Sequence, residues 1–382
     1  MDESTQQQPA PVVDPEKPES TAGIFLLFLA FGARAFGGPL VQIAALEEQF
    51  VERRRWTSAE RFRRALGVYQ VLPGPEAHEM CCYLGTVRGG RVGGLAAGLG
   101  FMLPGLVLML VASVLYAQID LRAPAVAGAL MAMQLAACAL IVRAVWRLMR
   151  PLAADWRLAI AIAAAVAVLF FRILAPAPAA AETDIALQAP GVGALFGHGL
   201  TAGLVTFGGA YTALPYVAAT AAGEGGWMTQ QACLDGVAIA SVLPAPLVIF
   251  GTFVGYAGSG IAGALAFTAG IFLPAFGFTF VGFGFFERLV AWKPARGALD
   301  TLGAVAVGLI AGAALEFFIA TIDAMAGPRE PHHHTPVDNI VLPCLSFGVA
   351  YTALHRLPTR FAAPMLVLAA AAVGAAYGAL FA

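Results

Sequence analysis

From Val237 to Phe286 the chain runs through 50 residues without an Asp, Glu, Lys or Arg. A helix needs about 20 apolar residues to cross a bilayer, so this one run can hold two membrane elements. The rest of the chain is similar: 59% of its 382 residues are hydrophobic and 12% are charged. Soluble domains carry about 25% charged residues. The short alternating segments that build a membrane β-barrel are absent. The sequence therefore reads as an all-α polytopic membrane protein.

An internal repeat organises it. A shift of 171 residues aligns Phe36-Gly37-Gly38 with Phe207-Gly208-Gly209, Trp56 with Trp227, and Leu72-Pro73-x-Pro75 with Leu243-Pro244-x-Pro246. A shift of 170 then aligns Gly85 with Gly255, Gly93 with Gly263, and Gly100-x-x-Leu103-Pro104 with Gly270-x-x-Leu273-Pro274. Chance does not keep Gly, Pro and Trp in step over such a distance. The chain divides into a polar, acidic tail (1–22), a first half (23–174), an Ala/Pro-rich linker (175–190) and a second half (191–382). The tail lacks the basic n-region and apolar core of a signal peptide, so it reads as disordered.

Charge separates the two copies. The loop "ERRRWTSAERFRR" holds six arginines between Arg53 and Arg64, whereas its counterpart at 218–236 has no Lys or Arg and carries Glu224 and Asp235. Short cytoplasmic loops collect basic residues, so the two loops are expected on opposite sides, as in the inverted repeats of secondary transporters. Apolar segments lie near 65–87, 89–117, 124–149, 156–174 and 191–218. If all five cross, Arg88, Arg91, Arg143, Arg147, Arg150 and Arg157 fall outside. If the FGG and PGP segments are re-entrant instead, those arginines become cytoplasmic, and the second half is still inverted. The re-entrant arrangement is the preferred expectation.

Helix breaks at 36–39, 73–75, 207–209 and 244–246 survive at membrane depth only against protein or a water-filled cavity. Half-helix N-termini aim free N–H groups at such a break, and glycine lets a ligand approach the backbone. The expected site for a small anion is Phe36, Gly37, Gly38, Pro39, Pro73, Gly74, Pro75, Phe207, Gly208, Gly209, Pro244 and Pro246. Tight helix packing and simple kinking are the alternative reading of any single glycine or proline. Arg34 either pairs with a dianion or snorkels, and Gln42 is placed to donate to the same oxyanion. Glu76 either carries a coupling proton or complements the dipole of the helix that Pro75 opens. His78 and Glu79 are further proton-coupling candidates, though a re-entrant tip would bring both to the aqueous interface. Asp300 and Glu316 read as interhelical hydrogen-bonding groups.

Other residue classes exclude functions. No basic patch supports nucleic-acid binding; the arginines at 53–55 are suited to anionic lipid headgroups. The five cysteines lack CxxC spacing and read as small buried residues. His332, His333 and His334 lie in an internal loop between apolar segments, where three adjacent imidazoles bind metal only loosely, so no metal site is expected. No catalytic constellation and no GxGxxG unit appears, so neither an enzyme nor a bound cofactor is expected. Few acids in the apolar segments disfavour cation transport, while a small-anion channel stays open as a rival.

The motifs "FGGPLVQIAALEEQFVERRRW" (36–56), "LPGPEAHEMCCYLG" (72–85), "GGLAAGLGFMLPG" (93–105), "TFGGAYTALPYV" (206–217), "PLVIFGTFVGY" (246–256) and "GIFLPAF" (270–276) resemble the chromate ion transporters of bacteria, over nearly everything from Gly23 to Ala382. The resemblance implies a secondary transporter of the inner membrane with fused, oppositely oriented halves, exporting chromate and conferring resistance. Sulfate is the structural analogue of that substrate. The second copy departs from PGP as Pro244-Ala245-Pro246, which makes the first half the stronger site. Whether two chains pair as a homodimer is left open.

Overall fold

The computed structural model describes residues 19–149 except Val71, then 189–206, 213–223, 226–282 and 362–381, with isolated helical positions between 159 and 166, 284 and 315, and 348 and 352. The second FGG, most of the linker, Glu224, Asp300, Glu316 and the three histidines at 332–334 lie outside the described residues. Every regular element among the described residues is helical.

The first half opens with two helical hairpins that share one end. Helix α1 (Thr21–Gly32) starts where the Ser20 hydroxyl accepts from the Gly23 N–H at 3.1 Å, satisfying one of the orphan donors of a helix N-terminus. Gly37 (φ 97°) and Gly38 (φ 80°) then reverse the chain in a region that favours glycine. Helix α2 (Pro39–Leu46) follows with proline at its first position and continues as a π-helix over Glu47–Arg53. The return stroke lies on α1: Phe28 stacks on Phe50 at 4.7 Å, and Arg54 meets Glu19 at 3.3 Å.

The second hairpin is α3 (Ala59–Tyr69), a break at Leu72–Pro75, and the first arm of α4 (Glu76–Tyr116). It ends where it began, with the Arg88 guanidinium 5.5 Å above the Trp56 ring. The apolar stretch 65–87, expected as one segment, is thus divided between two helices. Pro73 and Pro75 deny the backbone donors and the φ freedom that continuation would need.

At Gly89 and Gly90 (φ 61°, ψ −159°) α4 turns back on itself. The arms touch through glycine: a Cβ on Gly85 would strike the Gly93 carbonyl and come within 2.5 Å of the Ala97 Cβ. At 1.5 Å per residue the arm 76–88 is about 20 Å long and the arm 91–116 about 39 Å. Only the longer arm exceeds a hydrocarbon core of about 30 Å.

The second half repeats this backbone. Helices α6 (Val192–Leu204), α7 (Ala213–Ala221) and α8 (Gln230–Val242) lead through a 3-10 turn (Leu247–Ile249) into α9 (Phe250–Val281). Helix α9 turns at Ser259 and Gly260 (φ 58°, ψ −148°), the residues equivalent to Gly89 and Gly90. Gly255 lies against the Gly263 carbonyl as Gly85 lies against Gly93. Gly32 packs on the Phe101 backbone and Gly203 on Ile271; Gly100 packs on Phe25 and Gly270 on Phe196. Ser58 and Thr229, also related by the shift, cap α3 and α8.

One apolar cluster fills the first half, and a second gathers the later half together with Met102, Leu106 and Met109 from the far part of α4. There the Tyr116 ring packs edge-on against Phe253 at 5.0 Å. Helices α5 (Pro124–Met149) and α10 (Ala362–Phe381) pair through Gly128 on Gly374 and Gly378 on Pro124. Glu76–Tyr116, Pro124–Arg143, Leu247–Phe278 and Ala362–Ala379 are long and apolar enough to cross a membrane. Val92, Leu99, Val107, Val111 and Leu115 lie exposed along the long arm of α4, and Met365, Leu368 and Val373 along α10. Such surfaces suit lipid, which needs no polar cover.

Overpacking a close contact costs about 1–3 kcal/mol. Gly85→Ala and Gly255→Ala should each lower the thermal unfolding temperature in detergent, whereas Gly67→Ala, with nothing within 4 Å of its Cβ position, should not.

Candidate functional site

Each half brings its break to the other. Gly37 and Gly38 line a cavity of about 40 Å³ whose opposite wall is Leu243, Ala245 and Leu247 around the second proline pair. Val237, Ala240 and Ser241 of α8, Ala137, Leu140 and Ile141 of α5, and Ala363 complete it. A water needs about 10–15 Å³ measured this way, so the space is that of two or three waters or a small ion. The lining given by the described residues carries no charged side chain. What it offers an anion is backbone: α2 begins at Gly38–Pro39, so its unpaired first-turn N–H groups and partial positive charge lie at the cavity wall.

The site residues around this wall have definite places. Pro39 is buried at the first position of α2. Gln42 is fully buried, and its Nε2 donates to the Ala35 carbonyl at 2.7 Å, which pins the FGG loop to the helix that follows. Its Oε1 has no partner among the described residues. Arg34 is exposed and folds back, with Nε donating to the Ala30 carbonyl at 2.9 Å, one of the open acceptors at the C-terminal end of α1. Phe36 is half-buried.

The first proline pair faces the other way. Gly74 (φ 152°) donates its N–H to the Thr206 carbonyl at 2.7 Å, immediately before the second FGG. Phe207, Gly208 and Gly209 themselves fall outside the described residues. Pro73 and Pro75 flank that contact, and Pro75 caps α4. Pro244 and Pro246 flank Ala245, whose methyl group packs where a Cβ on Gly105 would have to sit. The alanine that interrupts the second PGP is thus accommodated by a glycine on α4.

The acids beside Pro75 are buried, contrary to the expectation that His78 and Glu79 reach the aqueous interface. Glu76 is 5% exposed and takes a hydrogen bond from Gln70. Glu79 is fully buried against Gly74, with neither carboxylate oxygen hydrogen-bonded among the described residues. His78 is enclosed by Phe101, Phe272 and Phe276, with ring centroids 4.9 Å and 4.8 Å from the last two. The reason lies in the fold: Thr206 and the Phe272 and Phe276 rings of α9 close over the start of the 76–88 arm.

Sequence reasoning also misplaced Asp235, which was read as a loop charge. It lies on α8, 2% exposed, and accepts from the Tyr116 hydroxyl and from Gln134 Nε2, both at 2.6 Å. The signal was present, since Thr229 is a helix-capping residue equivalent to Ser58 and places Asp235 inside the helix it opens. Three arginines of the 53–64 stretch instead lie at the surface, with Arg53 on Glu48, Arg54 on Glu19 and Arg64 on Glu60 at 3.6 Å. Among the described residues no group of three or more His, Cys, Asp or Glu side chains is placed to hold a metal.

Comparison with known proteins agrees with this architecture. A family model described as "Chromate transporter" matches residues 22–183 and again 193–375. The chain is 41% identical over 362 residues to a chromate transport protein of Pseudomonas aeruginosa, covering 84% of this chain and 85% of the relative. It is 23% identical to a chromate transport protein of Cupriavidus metallidurans over 94% and 97% of the two chains. A probable chromate transport protein of Synechococcus elongatus is 24% identical over 91% and 93%. No solved structure matches.

At Gly38 (φ 80°, ψ 179°) a side chain would strain the backbone, at a cost on the order of 1–3 kcal/mol. Gly38→Ala should therefore lower the midpoint of thermal unfolding of the purified protein, while Arg34→Ala, which loses one exposed contact, leaves it within a degree or two.

Proposed function

The chain belongs to the chromate transporter family, and from that premise we propose that it exports chromate across the bacterial inner membrane and so confers chromate resistance. The family is one of transporters rather than enzymes, and the chain is a multi-pass membrane protein. The observation that carries the reading is the crossing of the two halves: the FGG break of the first half shares a cavity with the proline pair of the second. A tetrahedral dianion can be held there by peptide N–H groups and helix ends without a lysine. Sulfate has the same shape and charge, so it is the natural competitor.

The halves run in opposite directions through the membrane. Supporting this, Tyr116, at the far end of the arm that leaves the Gly89–Gly90 turn, packs on Phe253, only six residues before the Ser259–Gly260 turn. The FGG and PGP segments of the first half are re-entrant from the cytoplasmic side. In support, both hairpins begin and end beside Trp56 among the arginines that favour that side. The membrane potential, inside negative, favours outward movement of a dianion by about 2.3 kcal/mol per charge per 100 mV. Glu76 is the first-half residue assigned to exchange a proton against it.

Two measurements test the reading. Residues 91 and 261 are equivalent positions beside the two turns. Arg91→Cys should react with an impermeant thiol reagent only from the cytoplasm and Ile261→Cys only from the periplasm; labelling of both from one side would defeat the inversion. Everted vesicles carrying the wild-type protein should accumulate chromate, with excess sulfate showing whether the site separates the two anions. Loss of concentrative uptake in Glu76→Gln supports the proton role, while full retention returns Glu76 to capping α4. A folded wild-type protein without chromate uptake would overturn the substrate assignment.

A further inference from the structure

Asp235 is used by nothing in the transport scheme above, yet it is the buried acid that binds the two halves together. Its carboxylate is the meeting point of three helices: α8 of the second half, and α4 and α5 of the first, through Tyr116 and Gln134. An isolated carboxylate at such a place is costly to keep ionised, and ionisable groups in a membrane interior mark proton or ion pathways by default.

Among the described residues no base forms an ion pair with this carboxylate. Of the helices packed against α8, α4 contributes Tyr116, α7 carries Tyr216, α9 carries Tyr256 and α10 carries Tyr377, with Cys233 on α8 itself. The nearest base along α5 is Arg143, nine residues beyond Gln134 and so about 13 Å further along the helix. Tyr116 and Gln134 are both neutral donors, which can stabilise the charged form but cannot cancel its charge.

Gln134 supplies the second observation. It is fully buried, its Nε2 donates to Asp235, and its Oε1 has no partner among the described residues. A buried acceptor left open beside a carboxylate is the place for one more hydrogen, because such groups are otherwise almost always paired. An ionised Asp235 takes the Nε2–H that the structure holds; a protonated Asp235 offers an O–H, which the amide accepts at Oε1 after rotating by half a turn. Gln134 can thus serve both protonation states at one position. It also shares a face of α5 with Ala137 and Ile141, at spacings of three and seven residues, and both of those line the cavity.

We propose that Asp235 is a second proton-binding site of the transport cycle, distinct from the Glu76–Glu79 cluster, with Gln134 as its two-state partner. The proton adds to one carboxylate oxygen and leaves from it, and no other bond changes. With the proton on, Tyr116 and Gln134 no longer both donate to a charge, and the tie between α8 and α4 loosens beside the cavity.

The proposal rests on the reading of the chain as a chromate transporter, and the experiment separates the two. In purified protein, acidification should raise an infrared carboxylic-acid C=O signal that Asp235→Asn removes and Glu76→Gln leaves in place. Tyr116→Phe, which deletes one donor to the ionised form, should keep that signal and move its midpoint to higher pH by about one to two units. In everted vesicles, Asp235→Asn should abolish the increment in chromate uptake produced by an imposed pH gradient, while Asp235→Glu retains part of it. An infrared titration unchanged in Asp235→Asn, or an undiminished response to the gradient, overturns the proposal. Absence of chromate uptake in the wild type would defeat the transport reading alone, because the infrared titration needs no substrate.

Discussion

A peptide group inside a bilayer must find its partner within the protein, and this constraint governs the whole architecture. Three described stretches of the chain (36–39, 73–75 and 244–246) leave the helix at glycine and proline, and each leaves N–H and C=O groups that lipid cannot satisfy. The N–H of Gly74 is taken by Thr206 from the other half. The carbonyl of Ala35 is taken by a glutamine one turn into α2. The first FGG and the second proline pair meet across a small cavity. The halves are held in register because each supplies what the other's broken backbone lacks.

Glycine makes that closeness attainable. The α4 and α9 hairpins close with Gly85 on Gly93 and Gly255 on Gly263, and α1 and α6 lie on them through Gly32 and Gly203. At each contact a methyl group would meet backbone rather than a yielding side chain. In lipid, where apolar burial gives little drive to bring helices together, such close packing is a main source of association. Equal contacts at repeat-related positions make the duplication a property of the backbone as well as of the sequence.

The acids divide by how they are held. Glu76 lies buried at the start of a helix with a glutamine partner. Glu79 has burial without hydrogen bonds, and Asp235 has burial with two neutral donors. Among the described residues none of the three forms an ion pair with an arginine; the pairs seen are those of Arg53, Arg54 and Arg64 with glutamates near Trp56. A cavity with an uncharged lining, flanked by buried acids, can hold an anion by its backbone and still leave protons a place to bind.

The sequence by itself determined the all-helical membrane class and marked the described breaks at Gly37–Gly38, Pro73–Pro75 and Pro244–Pro246. Uncharged runs force membrane helices, and Gly and Pro are legible one residue at a time because their backbone restrictions are local. The hairpins around Gly89–Gly90 and Ser259–Gly260 were only half legible: the repeat marked the glycines, but helix periodicity runs straight through them, and only packing of the arms shows a turn. Which breaks meet was a tertiary matter, since nothing local to Gly37 names Ala245, and nothing local to Gly74 names Thr206. The same holds for the side chains. Asp235 looked like a loop charge and His78 like an interfacial one because burial is decided by the segments that close over a residue, here Tyr116, 119 positions away from Asp235, and Phe272 and Phe276 of the opposite half around His78.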